Sequence, residues 1–287
     1  GAPPRRREFL RPMTQPLRLH HPFQVAFRLL RLVLALALVA LVHPFRVGLA
    51  RSSMRRKARA RWLGWSCRRV LAAAGVAVEA SGPLPRRGLL VSNHMGYLDI
   101  LALASRTEAV FVSKREVRNW PVFGALARMA GTLFVHRERR SDALRVAGEI
   151  QEALDAGSLV VLFPEGTSTG GKTVLPFKSA LLGDLHAQSH PVTPACIRYT
   201  LADGEPSRHV AYWGDMTLLS HMLGLLDHRG VTAHLHFAPP LAPMPPDRKT
   251  LAVRLHRAVM GLHPDFAEPL AAGALPLSQP EEAPARA

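Results

Sequence analysis

His94 and Asp99 stand five residues apart in the segment Ser92-Asn93-His94-Met95-Gly96-Tyr97-Leu98-Asp99, where an apolar run gives way to a helical pattern. On one continuous helix, five steps of about 100° would turn the two side chains roughly 140° away from each other. They can meet only if a turn intervenes, and Gly96 supplies one. A histidine on a strand-to-helix turn with a carboxylate beside it can act as a general base whose tautomer that carboxylate fixes. Taken alone, the pair also fits a surface loop with an aspartate near a helix start.

Other chemical groups follow in order along the chain. Phe111-Val112-Ser113 runs into Lys114, and Gly131-Thr132-Leu133-Phe134-Val135-His136 into Arg137. Phe163-Pro164-Glu165-Gly166-Thr167, Leu175-Pro176-Phe177-Lys178 and Pro191-Val192-Thr193-Pro194 come next. As an ordered set these blocks resemble the lysophosphatidic acid acyltransferase family, the 1-acyl-sn-glycerol-3-phosphate acyltransferases. That family's pattern is N-H-x4-D, a Lys after the second strand, G-x-x-F-x-x-R, F-P-E-G-T and a V-P-type block.

The resemblance implies roles. His94 would take the proton from an acceptor hydroxyl as it attacks an acyl thioester, and Asp99 would orient and polarise His94. Lys114 and Arg137 would hold an anionic headgroup, Arg through its planar fork and Lys as a point charge. Gly131, Glu165, Gly166 and Thr167 would shape the same pocket. The implied fold is α/β, a single-layer mixed sheet flanked by helices. The implied donor is acyl-CoA or acyl carrier protein, with no metal or cofactor. Neither a His-Glu-x-x-His motif nor a Cys/His cluster stands in the sequence. The expected acceptor is a lysolipid, 1-acyl-sn-glycerol-3-phosphate first and lyso-ornithine lipid second. One position departs from the family: Ser168 stands where E-G-T is usually followed by Arg. For a phosphate acceptor, Lys172 or Lys178 would have to replace that charge.

A rival motif overlaps this block. Gly166–Thr173 fits G-x-x-x-x-G-K-[ST] at every fixed position, the pattern of a nucleotide phosphate loop. Such a loop must enter a helix directly, and Pro176 three residues on disfavours one. An NTPase and a non-catalytic basic membrane-binding protein remain the alternatives from other classes.

Positioning these residues falls to alternating elements. Leu89–Ser92, Ala109–Ser113, Thr132–His136, Leu159–Phe163, Val192–Tyr199, Val210–Trp213 and Val231–Phe237 read as strands. Asp142–Ala156 reads as the clearest helix, with Ser141 as N-cap and Gly157 just past its end. Leu98–Ala104, Pro121–Met129, Ser179–Ala187 and Thr250–Leu262 are further helices. This alternation predicts an α/β layer fold with a largely buried sheet.

Charge sets the N-terminal segment apart. The chain's net charge is +16, and residues 1–80 hold 16 Lys/Arg against only Glu8 and Glu79. A nucleic-acid reader would carry such charge on its recognition fold. Here it flanks the apolar run Leu29–Val42, which predicts an anionic membrane surface as partner and no nucleic acid. With Arg51–Ala73, where Trp62 and Trp65 lie three apart, this reads as a membrane-associated helix pair. The expectation is a monotopic or single-pass enzyme on the cytoplasmic face of the inner membrane. Arg6-Arg7 resembles a twin-arginine leader, but the apolar run starts some twenty residues later, so export is not expected. The expected organisation is a basic membrane-associating segment (1–80), an acyltransferase domain (81–267) and a disordered tail (268–287). Cys67 and Cys196 read as small buried hydrophobes in a reducing compartment.

Overall fold

The computed structural model describes residues 19–136, 140–182 and 190–263. Seven strands form one sheet: β1 (Val76–Ser81), β2 (Gly88–Ser92), β3 (Ala109–Lys114), β4 (Leu133–Val135), β5 (Leu159–Leu162), β6 (Val192–Thr200) and β7 (Val231–Phe237). Their spatial order is β1-β7-β6-β2-β5-β3-β4. All neighbours run parallel except β6 and β7, which are antiparallel. The sheet is therefore mixed, as expected.

The helices are α1 (Pro22–His43), α2 (Arg55–Ala74), α3 (Tyr97–Arg106), α4 (Phe123–Ala130), α5 (Arg140–Asp155), the short α6 (Pro206–His209), α7 (Leu218–Asp227) and α8 (Arg248–Gly261). They cover both faces of the sheet, which is why the central strands are apolar throughout rather than alternating. Every residue of β2 and β5 is buried. Along β2, Leu90 packs with α2 and α3 side chains such as Leu71 and Leu103. Leu89 and Val91 pack instead with Ile150 of α5 and Leu255 of α8.

The strand expected at Val210–Trp213 is absent. Val210 and Ala211 are buried beside the end of α6, so their apolar character fills the core without joining the sheet. Conversely β1 is an edge strand largely within the segment expected to associate with the membrane. It pairs with β7 from Val76↔Val231 to Ser81↔His236. The boundary drawn at residue 80 thus falls within the sheet, and α2 also contributes Cys67, Leu71 and Ala74 to the main core. Helix α5 begins at Arg140, so Ser141 lies inside it rather than capping it. Of the helix expected over Ser179–Ala187, Ser179–Leu181 forms a single 3-10 turn. Residues 183–189 and the expected tail lie outside the described residues.

Helices α1 and α2 form the expected pair. Val25, Leu32 and Val39, seven residues apart, are the buried stripe of α1. Trp62 of α2 is 1% exposed, and its Nε1 donates to the Val39 carbonyl at 3.2 Å. Trp65 instead lies nearer the surface, with the Arg46 and Arg69 guanidinium groups 4.6 and 3.8 Å from its ring centroid. The opposite face of α1 exposes Phe23, Phe27, Leu30, Val33, Leu34, Leu38 and Leu41. The stretch Pro22–Gly48 is long and apolar enough to cross a membrane.

Candidate active site

Because β2, β5, β3 and β4 are parallel, the segments leaving them emerge at one edge of the sheet. His94 follows β2, Glu165 follows β5, and Lys114 ends β3. In open α/β sheets this carboxyl edge is where ligands bind. Lys114 is exposed and lies opposite Val135 of β4. Arg137, two residues beyond Val135, lies outside the described residues.

The turn required between His94 and Asp99 is present. Gly96 has φ 152°, and a Cβ there would stand 2.9 Å from the backbone nitrogen of Tyr212, so glycine is dictated twice over. Helix α3 starts at the next residue, which places Asp99 in its first turn facing back over the helix start. His94 Nδ1 lies 2.7 Å from Asp99 Oδ2. The same oxygen accepts the backbone N–H of Met95 at 2.6 Å and of Gly96 at 2.9 Å. Asp99 Oδ1 accepts the Tyr199 hydroxyl at 2.6 Å. The carboxylate is fully buried, whereas the His94 side chain is 21% exposed. Its ring stacks on Phe163 at 4.2 Å with planes 19° apart. An Nδ1–H directed at a buried carboxylate fixes the neutral tautomer and leaves Nε2 basic.

Glu165 sits behind this pair. It is 1% exposed, and its Oε1 accepts the His94 backbone N–H at 2.7 Å while Oε2 accepts that of Leu175 at 2.8 Å. Burial pushes its carboxyl up to about 8; the two backbone donors oppose that shift and the neighbouring Asp99 charge adds to it. Glu165, expected to shape the substrate pocket, thus bonds the backbone that carries His94. Gly166 closes the turn after β5 with φ 75°, its N–H bonded to the Phe163 carbonyl. Half-buried Thr167 and Ser168 follow, and the Thr169 N–H donates to the His94 carbonyl at 2.9 Å. Gly131 is placed differently: it ends α4 in a left-handed conformation (φ 76°), against the Arg59 side chain.

Residues 166–178 contain no helix, so the phosphate-loop reading loses the helix N-terminus it requires. Lys172 Nζ is paired with Glu205 Oε1 at 2.8 Å. Lys178 is exposed.

Two further residues support the pair: Asn93, the first residue of the N-H-x4-D pattern, and Tyr199, which carries no local sequence signal. Asn93 is buried, and its side-chain amide bonds both backbone groups of Ile197, donating to the carbonyl at 2.9 Å and accepting the N–H at 2.8 Å. Tyr199 stands two residues further along β6. Only knowledge that β6 lies beside β2 would have revealed Tyr199.

An acyltransferase family model matches residues 75–198. A lyso-ornithine lipid O-acyltransferase from Brucella abortus is 38% identical over 187 residues, covering 61% of this chain and 70% of that protein. A 1-acyl-sn-glycerol-3-phosphate acyltransferase from Neisseria meningitidis is 31% identical over 173 residues, covering 59% and 68%. The crystal structure of the 1-acyl-sn-glycerophosphate acyltransferase PlsC from Thermotoga maritima has the same fold, with a TM-score of 0.56 at 21% identity, covering 83% of this chain and 97% of that one.

Proposed function

Since the chain belongs to the lysophosphatidic acid acyltransferase family, we propose that it moves a fatty acyl group from a thioester donor to the hydroxyl of a lysolipid, and that its preferred acceptor is a lyso-ornithine lipid. The observation that carries the chemistry is the His94–Asp99 pair, 2.7 Å apart, with the Asp99 carboxylate fully buried and the His94 side chain 21% exposed.

His94 Nε2 removes the proton from the acceptor hydroxyl as its oxygen attacks the thioester carbonyl carbon. The tetrahedral intermediate collapses, the carbon–sulfur bond breaks, and the imidazolium returns the proton to the departing thiolate. Asp99 stabilises the imidazolium in between. The donor is acyl-CoA or acyl carrier protein; both present the same thioester. No covalent enzyme intermediate is required.

The acceptor preference reverses the order expected from sequence alone, and three observations support the reversal. The Brucella relative is the more similar of the two compared. Ser168 lacks the family's arginine. Lys172 is held by Glu205. An ornithine headgroup carries an amine as well as a carboxylate, so a cation at position 168 would repel it, while Lys114 can still meet the carboxylate. Acylation of 1-acyl-sn-glycerol-3-phosphate is the second reading, favoured by the Neisseria relative.

The exposed apolar face of α1, bordered by the basic residues of α1 and α2, suits insertion into one leaflet of an anionic membrane, on the cytoplasmic side where thioester donors are made. The proposed unit is therefore a helix pair continuous with the acyltransferase domain. The test is to incubate purified protein, reconstituted in vesicles, with lyso-ornithine lipid and each donor, and to weigh the product. A mass gain of one acyl chain supports the proposal; no acylated lipid with either donor refutes it.

A further inference from the structure

Asp99 is held from two sides. Its Oδ2 collects three donors from its own turn, His94, Met95 and Gly96. Its Oδ1 has a donor from elsewhere, the Tyr199 hydroxyl at 2.6 Å, on a strand one hundred residues away. That approach is not accidental packing at a loose end. Strand β6 runs parallel to β2 up to Ser92↔Ala195. Where β2 stops, Asn93 takes over and bonds both backbone groups of Ile197. Side chains alternate along a strand, so Tyr199 shares the face of Ile197, and both belong to the core cluster that includes Leu98 at the start of α3.

The phenol is 5% exposed. Burial, and then the Asp99 charge, push its ionisation well above the usual tyrosine range, so it remains a donor throughout the working pH range. Other groups around the pair are differently engaged. Glu165 accepts the backbone N–H groups of His94 and Leu175. The Tyr97 hydroxyl meets His221 Nδ1, and His221 Nε2 meets the Ala211 carbonyl. The Tyr212 ring packs on Tyr97 and His221.

We infer that Tyr199 is a positioning residue of the acyl transfer, holding the second oxygen of Asp99 so that the first stays aligned with His94 Nδ1 and the carboxylate charge is shared rather than concentrated on the histidine. The inference rests on the proposed role of His94 and Asp99 as base and orienter. It adds a third member from β6. With the hydroxyl removed, the carboxylate keeps its place less well and, having lost one donor, binds the imidazolium more strongly. The histidine then gives up its proton less readily in acid solution.

Tyr199→Phe deletes one oxygen and tests this directly. The expected result is a kcat lower by about ten- to a hundredfold, with the acceptor KM within about twofold. The acid limb of the kcat/KM profile should move up by about half a pH unit. An unchanged kcat and profile overturns the inference, as does a raised KM at constant kcat, which would place Tyr199 in substrate binding. A tyrosine needed only for folding would lower melting temperature and active fraction without moving the acid limb. If the phenylalanine variant does not fold, 3-fluorotyrosine placed at 199 in otherwise native protein gives a second readout. Its fluorine resonance should titrate with the midpoint of the acid limb, and a flat resonance overturns the inference. Inactivity of the wild-type protein towards every lysolipid, by contrast, would count against the proposed function itself.

Discussion

Glu165 grips the backbone of His94, its Oε1 2.7 Å from the His94 N–H, and its other oxygen holds Leu175 on the far side of the loop that follows β5. One buried carboxyl group thus ties together two segments that are more than seventy residues apart in sequence. With Asp99 fixing the imidazole and Glu165 fixing the backbone beneath it, the orientation of His94 is determined at both ends. For the glutamate of the F-P-E-G-T block we therefore propose a supporting role beneath His94, beside the expected one in shaping the pocket.

Glu165→Gln should test that assignment. The amide has the same shape but only one acceptor oxygen, so one of the two backbone N–H groups loses its partner at a cost of about 1–3 kcal/mol. Denaturant unfolding should show that loss, and kcat should fall while acceptor KM stays nearly constant. A raised KM with unchanged stability would instead point to direct contact between Glu165 and the substrate.

Much of this site was legible from residue types alone. Gly96 between His94 and Asp99 required a turn, and the turn brings the two to 2.7 Å. The all-apolar runs at Leu89 and Leu159 required strands covered on both faces, and they are. What escaped depends on neighbours distant in sequence. Val76–Ser81 follows a long basic helix and pairs on one side only, so nothing local distinguishes it from the segment before it. Trp62 and Trp65 look equivalent by spacing, yet Trp62 is the buried one that hydrogen-bonds the Val39 carbonyl of α1, while Trp65 is only partly buried at the edge of the same cluster. Tyr199 reads as the last residue of a strand until its partner across one hundred residues is known.

Acceptor choice should respond to position 168. Ser168→Arg restores a cation that a phosphate can bind and an ammonium avoids. The ratio of kcat/KM for lyso-ornithine lipid over 1-acyl-sn-glycerol-3-phosphate should favour the aminolipid in wild type. It should fall by about ten- to a hundredfold in the variant. A wild-type preference for the phosphate lipid would make the second reading the correct one.

Membrane binding should depend on the exposed face of α1. Phe23 is 90% exposed and Leu30 57%, and neither is among the buried side chains of the fold. Each such group contributes about 1.5–3 kcal/mol when transferred from water to hydrocarbon. Phe23→Gln combined with Leu30→Gln should therefore weaken binding to anionic vesicles by more than about tenfold, without lowering thermal stability. Undiminished co-sedimentation would place the membrane contact elsewhere.

Stability should fall in mild acid because of His221. Burial, outweighing the opposing backbone acceptors at Ala211 and Val210, lowers its ionisation to about 4. In the unfolded chain it protonates near 6.5, so between pH 6.5 and about 4 the unfolded state binds the extra proton. The stabilisation associated with neutral His221 is complete above that window and is lost progressively as pH falls through it. The total is about 3 kcal/mol. His221→Gln should flatten this part of the stability–pH curve; an unchanged slope would assign the acid sensitivity to other groups.

The central claim is that His94 is the base of an acyl transfer. The most direct measurement is kcat for His94→Ala, with the wild-type melting temperature retained as proof of folding and vesicle binding as proof of an intact anchor. The account predicts a loss of at least about a hundredfold, within the range expected for general-base assistance and its alignment. Turnover at the wild-type rate by the folded, membrane-bound variant would contradict it.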